Sequence, residues 1–373
     1  MTIRHPFRPR IRSLCLLAGA ALLAAAQANA QSSSTTPASS VTLYGVLDAC
    51  VVSYKAAAGA DLQVNGGGCY YGSRFGLRGT EDLGGGMQAY FQLESGFALD
   101  TGALAQGGRM FGRKAHVGLS GAYGALEAGR DYAPTFYLLT NVDPMQLGLG
   151  SALATLWSGS PGTASGRTDN QLTYQSPTFG GFSLRAMMAP GEQAAPLPAR
   201  GGDTTGASVM YRSPALVAGV TYANVKNTSN TESDKATTVG AKYDFGTFSL
   251  AALAQFGGWE GTRTAAAPSS ATSIFSRSYN SYVVGGTVKF GTNSLSATYK
   301  RYDDRTAANF DADVLSVVYI YPLSKRTQLY TGLTRLKNKR GSSYGASDGN
   351  GAYTGVAPGG SSRAIDFGIT HFF

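Results

Sequence analysis

Met87-Gln-Ala-Tyr-Phe-Gln-Leu-Glu-Ser-Gly-Phe97 alternates along its length: Met87, Ala89, Phe91, Leu93 and Phe97 fall on one side of an extended chain, and Gln88, Tyr90, Gln92 and Glu94 on the other. Successive side chains of a strand point to opposite faces, so a period of two writes a strand with one greasy and one wet face. Residues 237–245 repeat the pattern, with Val239, Ala241, Tyr243 and Phe245 set against Thr238, Gly240, Lys242 and Asp244. Residues 248–256 do so again, with Phe248, Leu250, Ala252, Ala254 and Phe256 against Ser249, Ala251, Leu253 and Gln255. The chain ends in Ala364-Ile-Asp-Phe-Gly-Ile-Thr-His-Phe-Phe373, where Ile365, Phe367, Ile369, His371 and Phe373 share one parity. Termini are usually polar and frayed, so this aromatic end is read as one more strand.

Two kinds of connection take turns between such segments. Tight turns fall at 81–86, 121–124, 177–181, 212–215, 245–247, 291–293 and 322–327, and loops rich in Gly, Ala, Ser and Asn at about 55–68, 98–109, 131–166, 190–204, 225–235, 257–277, 303–311 and 338–362. Seven tight turns join sixteen strands when the first and last strand also pair. Short turns on one side and long loops on the other are the pattern of an outer-membrane barrel. The expected fold is all-β: a 16-stranded antiparallel transmembrane β-barrel, wide enough for a water-filled lumen.

The N-terminus supplies the compartment. Arg4, Arg8, Arg10 and Arg12 precede a short apolar run from Leu14 to Ala26, and Ala28-Asn29-Ala30 offers a small-x-small cleavage site. These are the parts of a secretory signal peptide, so residues 1–30 are expected to be removed and 31–373 to form the barrel. Removal takes away four arginines and no acid, lowering the formal charge from +9 to +5. That mild excess is scattered, and no basic block supports nucleic-acid binding. Beyond the leader no apolar stretch reaches the ~18 residues of a helical span. Only 14% of residues are charged while 50 are Gly, 21 Tyr and 17 Phe, a profile that fits alternating lipid-facing and water-facing positions. A soluble β-sandwich alternates in the same way; the leader, the scarce charge and the aromatic end favour the membrane barrel. The mature chain keeps Cys50 and Cys69, one candidate pair in an oxidising compartment. The two flank the first loop on opposite parities, which leaves bridged and free states both open.

Six stretches carry a family resemblance: "SVTLYGVLDA" (40–49), "SRFGLRGTEDLGGGMQAYFQLESGF" (73–97), "FGRKAHVGLSGAYGALEAGRDY" (111–132), "NQLTYQSPTFGGFSL" (170–184), "YPLSKRTQLY" (321–330) and "FGITHFF" (367–373). In this order they resemble the sixteen-stranded trimeric general porins of the Gram-negative outer membrane, the anion-selective members among them. The resemblance implies a homotrimer in the cell outer membrane, in contact with membrane lipid and lipopolysaccharide, passing small hydrophilic solutes and inorganic anions without any cofactor. It also implies that the third loop, here 131–166, folds into the barrel and narrows it; Asp143 is that loop's lone interior charge and Trp157 its tryptophan. Opposite the loop the resemblance places three basic side chains, at Arg74, Arg113 with Lys114 as its stand-in, and Arg167. Parity agrees for Arg74, opposite to Phe75 and Leu77, and for Arg167, opposite to Leu172 and Tyr174. Arg78 and Arg185 would extend the basic track, with Glu94 and Asp169 as partner acids on the pore wall. The last strand, with Phe367, Ile369, His371 and Phe373, would serve as the signal read by the barrel-assembly machinery.

Catalytic and metal chemistry find little footing. His116 and His371 are the only histidines after the leader, too few and too far apart for a triad or a metal site. Gly148-Leu-Gly150 lacks the strand and helix of a nucleotide loop, and Asn227-Thr-Ser229 is a chance sequon in a bacterial loop. The reading is therefore a channel, with an adhesin or receptor acting through the long loops as the alternative.

Overall fold

The computed structural model describes residues 40–56, 59–65, 67–152, 166–260, 278–348, 351–352 and 356–373. The expected leader at 1–30 and the middle of the third loop, with Trp157, lie outside the described residues. Sixteen strands build the wall: β1 Ser40–Ala56, β2 Arg74–Gly84, β3 Met87–Gly96, β4 Lys114–Gly121, β5 Gly124–Tyr132, β6 Arg167–Gln175, β7 Phe182–Ala189, β8 Thr204–Arg212, β9 Leu216–Lys226, β10 Ser233–Asp244, β11 Phe248–Glu260, β12 Tyr279–Phe290, β13 Asn293–Asp304, β14 Ala312–Pro322, β15 Thr327–Asn338 and β16 Ser361–Phe372. Each pairs antiparallel with its neighbours in sequence, and all seven expected tight turns join strands where the sequence put them.

Closure comes from β1 and β16, paired from Val46↔Phe372 to Lys55↔Arg363. The sequence had matched β16 to residues 41–51; the pairing is displaced toward the long-loop side because tilted barrel strands meet with a stagger. On its other edge β1 pairs with β2 over Ser40–Val46 and, farther along, with a short strand Gly59–Asn65 of the first loop. That strand extends the wall above β2.

Exposure follows the alternation. Along β16, Ile365, Phe367 and Ile369 are 48%, 59% and 45% exposed, while Asp366 and Thr370 between them are buried. Phe91's partner face carries Tyr90, Gln92 and Glu94 inward, and Val239, Tyr243, Leu250 and Phe256 point outward from β10 and β11. Inner tyrosines lie across glycines of the next strand: a Cβ at Gly76 would sit 2.6 Å from the Tyr44 ring, at Gly118 2.5 Å from Tyr90 and at Gly368 2.3 Å from Tyr330. Glycine there leaves room for the ring to lie flat on the wall.

The third loop lines the inner face. Helix α1, Pro134–Val142, starts with proline at its first turn, where the missing N–H costs nothing. Leu138, Leu139 and Val142 bury against Met210, Ala251, Leu253 and Val283. Thr135 and Thr221 meet at 3.1 Å between hydroxyls. Ala251 and Leu253 share the parity of polar Ser249 and Gln255; they face inward but into this helix, which keeps them dry. Beyond α1, the Thr334 hydroxyl donates to Leu149 O at 3.1 Å, and Lys300 donates to Gly150 O. Gly150, at φ +71, comes so close to the wall that a Cβ would fall 2.2 Å from Ser316 Oγ, which gives the Gly148-Leu-Gly150 fragment a packing role.

The first loop is tied down as well. Cys50 and Cys69 form a disulfide, with Cα atoms 6.0 Å apart; the return segment lies off the strand register, so the opposed parities do not prevent the bridge. Buried Asp48 accepts the N–H groups of Tyr70 at 3.0 Å and Gly72 at 3.2 Å, and the Tyr330 hydroxyl at 2.6 Å.

The chain's last residue completes closure, since Gly45 N–H donates to Phe373 O at 3.0 Å and Phe373 N–H to Gly45 O at 3.1 Å. Deleting Phe373 removes both bonds and the ring that covers Gly45. The expected outcome is several-fold less compact, heat-modifiable species on unheated gels, with unchanged unitary conductance for the pores that do assemble. Full-length yields from the truncated chain would show that Phe373 adds nothing to closure.

Candidate functional site: a cationic wall inside the barrel

Three strand beginnings meet at one carboxylate and one phenol. Glu94, at the end of β3, accepts Arg113 Nε at 2.7 Å, stands 3.8 Å from Arg74 Nε and accepts the Tyr44 hydroxyl at 2.9 Å. Tyr132, at the end of β5, accepts Arg113 Nη2 at 3.0 Å and also an N–H of Arg167. The Arg167 guanidinium carbon lies 4.2 Å from the Tyr132 ring centroid, and Phe136 of α1 stacks on that ring at 3.5 Å. Arginine over an aromatic face is a favourable cation–π contact. Three guanidiniums thus gather beside a single carboxylate, which pairs with two of them, and the group keeps a net positive charge.

The structure brings Arg74, Arg113 and Arg167 together, with differences from the sequence reading. Arg113 is buried, 5% exposed, so it acts through its field rather than by touching water. Lys114 lies opposite Glu94 in the β3–β4 register and faces the lumen in its own right; it is a second cation, not a substitute. Parity does not carry Arg167: Asn170 at φ +57 and a register shift between Gly129 and Asp131 put a bulge in β6. The bulge adds one residue and flips the count, and Arg167 joins the group through Tyr132. Asp169, on the far side of that bulge, is a half-exposed rim residue engaged by Arg109 and Arg130.

A second set of charges lies below. Lys114 Nζ is 2.8 Å from Asp131, and Arg185 pairs with both Glu127 and Asp131. Tyr137 of α1 donates to Asp131 at 2.7 Å. These side chains line a cavity of about 450 Å³ together with Arg78, Tyr90, Gln92 and His116. Arg78 is exposed there, over the Tyr44 ring at 5.4 Å, and no carboxylate pairs with it among the described residues. His116, Glu127 and Asp131 offer ligand atoms within 4.8 Å of one another. That is a metal-ligating set by residue type, yet Arg185, Lys114, Tyr90 and Tyr137 already occupy both carboxylates. In the sequence His116 is set against the distant His371 alone; Glu127 and Asp131 lie on the neighbouring strand, a proximity that only the pairing of β4 with β5 creates.

Residues 17–341 match the model of the Gram-negative porin family. The chain belongs to that family. The porin is 34% identical to outer membrane porin protein 32 of Delftia acidovorans over 96% of this chain and 99% of the relative, and 32% identical to an outer membrane porin protein of Bordetella pertussis over 96% and 99%. Among solved structures it is similar to an anion-selective porin from Comamonas acidovorans, at 32% identity and TM-score 0.76, covering 90% of this chain and all of that one. Like its relatives this porin is an outer-membrane channel protein.

The porin's third loop is held to the wall by one buried lysine and braced by one buried carboxylate. Lys300 of β13, fully buried, donates to Gly150 O and to Thr298 Oγ1, the latter at 2.9 Å. Asp143 accepts the N–H groups of Met145 at 2.9 Å and Ala152 at 2.5 Å. Asp143, expected on the pore wall, is 2% exposed and therefore braces the loop instead of meeting solute. Burial pushes its carboxyl above the usual range, opposed by the pull of Lys300 and the two N–H groups. Replacing Lys300 with Met leaves Gly150 O without its charged donor, a loss of roughly 1.5–3 kcal/mol for a hydrogen bond to a charged group, and removes the charge that offsets buried Asp143. The expected outcome for Lys300→Met is noisier single channels with altered unitary conductance and a barrel that still resists heating in detergent. Traces identical to the parent would show that the loop is held by its apolar contacts alone.

Proposed function

We propose that this porin is a general diffusion channel, passively admitting small hydrophilic solutes and mildly selective for anions. The observation that carries the reading is the charge count on one sector of the wall: Arg74, Arg78, Arg113, Lys114, Arg167 and Arg185 against Glu94, Glu127 and Asp131. In bulk water a unit charge ~8 Å away contributes only about 0.5 kcal/mol. Low-dielectric walls focus the field of several cations on a passing ion, and rings of Arg or Lys favour anions. The third loop, whose α1 touches the cationic sector through Phe136 and Tyr137 and whose residues 149–150 rest on β13 and β15, narrows the path so that solutes pass near these cations. The likeness to an anion-selective porin supports the sign.

The same reading gives the porin a homotrimeric assembly, a leader removed at residue 30, a last strand recognised by the barrel-assembly machinery, and lipopolysaccharide as its outer-leaflet neighbour. The channel itself supplies no energy coupling and needs no cofactor.

Planar-bilayer recording under a salt gradient tests the proposal. Discrete ohmic steps and a reversal potential on the anion side are expected. Arg78→Ser or Arg167→Ser should reduce the anion-to-cation permeability ratio by about twofold each, the size of a ~0.5 kcal/mol change. Glu94→Gln should raise it, because Arg74 and Arg113 lose their counter-charge. A cation-selective parent channel would refute the assignment.

A further inference from the structure

The Cys50–Cys69 bridge joins residues only 19 apart in sequence, yet much of what encloses it comes from far later in the chain. Cys50 is 3% and Cys69 0% exposed. They share one buried cluster with Met145 and Leu149 of the third loop, Val318 of β14, Tyr330 of β15, Ala346 and Val356 of the last long loop, and Ala364 of β16. Cys69 N–H donates to the Tyr330 hydroxyl at 3.2 Å, and Gly148 lies so close to Tyr70 that a Cβ there would fall 2.6 Å from the ring. Cys50 sits within β1 with both edges paired, opposite Gly368 of β16 on one side and Asn65 on the other.

A disulfide forms by exchange, in which a thiolate attacks a disulfide sulfur and passes through a mixed disulfide. In the closed barrel neither sulfur offers that approach, and cysteine buried in apolar surroundings is inert. Nor does β1, hydrogen-bonded on both edges, have backbone free to lie in an enzyme's groove. Before closure the position is reversed. Both cysteines belong to the first 70 residues, and joining them calls on nothing after Cys69. Cys15 lies in the expected leader, so the mature chain holds one pair and one possible connection. Such a pair needs an oxidant and no isomerase.

We propose that Cys50 and Cys69 are the substrate of a periplasmic dithiol–disulfide oxidase, which acts on the exported, still open chain before the third loop packs and β1 meets β16. A thiolate of the chain attacks the oxidase disulfide, forming a mixed disulfide and releasing one oxidase thiolate. The chain's second thiolate then attacks the chain-side sulfur and expels the other. The chain gives up two electrons and two protons, and the oxidase passes from disulfide to dithiol. Bridging holds Tyr70 and Gly72 near Asp48, whose carboxylate accepts their N–H groups, so the first loop meets the closing barrel already bent back onto β1. The inference rests on passage of the chain through the periplasm to the outer membrane and not on conduction.

Cells making the full chain are pulse-labelled and alkylated with N-ethylmaleimide at intervals, and open and compact forms are separated on unheated gels. Each form is alkylated again in denaturant, then reduced and mass-tagged, so that only cysteines that were bridged gain mass. The open form should already be bridged. A compact form with free thiols that becomes bridged later would overturn the order. In a second arm the reduced chain, unfolded in urea or refolded in detergent, meets the oxidised enzyme; the refolded chain should lose its thiols at least about tenfold more slowly, since exchange needs access to sulfur. If the reduced chain does not refold, the bridged barrel is challenged with dithiothreitol instead, and should outlast the unfolded chain by the same factor. Equal rates in either comparison overturn the order. For the partner, an oxidase whose second cysteine is replaced by serine should be recovered from cells as a mixed disulfide with the parent and not with the Cys50→Ser, Cys69→Ser variant. Undiminished bridging in cells lacking the oxidase would assign the step to a small-molecule oxidant and overturn the partner. A parent that meets every expectation but conducts nothing would leave this order standing and remove the channel reading.

Discussion

Backbone hydrogen bonding in lipid is the constraint on which the rest of this porin depends. Hydrocarbon offers no partner for an open N–H or C=O, so a sheet that crosses it must close on itself. Here closure is the pairing of β1 with β16, finished by the two bonds between Gly45 and Phe373. Once the sheet is closed, strand alternation assigns every side chain to lipid or lumen. Ile365, Phe367 and Ile369 face one way because Asp366 and Thr370 must face the other.

The same requirement returns inside, where loops that enter the lumen must find partners for their own backbone. Each of the two inner loops is served by one buried charge from the wall. Lys300 donates to Gly150 O in the third loop, and Asp48 accepts N–H groups from the returning first loop. Around these charges the packing is apolar: Met145 and Leu149 bury with Tyr70, Val318 and the Cys50–Cys69 bridge. The inner wall is therefore neither a uniform wet surface nor a dry core. It is dry where α1 and residues 143–152 rest, and charged on the sector from β2 to β7.

On that sector the charges are organised by shortage of acid. Glu94 serves two arginines, and Asp131 serves Lys114 and Arg185. Tyrosine hydroxyls and ring faces take up contacts that carboxylates would otherwise make, as Tyr132 does for Arg113 and Arg167. Aromatic groups orient guanidiniums without cancelling their charge, so the arrangement is firm and still positive.

Sequence by itself determined the wall. Period-two alternation, seven tight turns and an aromatic end specify strand number, facing and closure, because these are local properties of an extended chain and of what lipid tolerates. Arg74 and Arg78 were legible for the same reason, each lying on an unbroken strand, whereas adjacent Arg113 and Lys114 left open which of the two faces inward. Only the tertiary structure decided what crosses the wall or bends it. The bulge at Asn170 redirected Arg167, burial took Asp143 out of the pore, and cross-strand pairing gathered His116, Glu127 and Asp131. Loop burial and bulge position depend on contacts between residues far apart in the chain, such as Lys300 with Gly150, and the two-residue period of a strand carries no record of them.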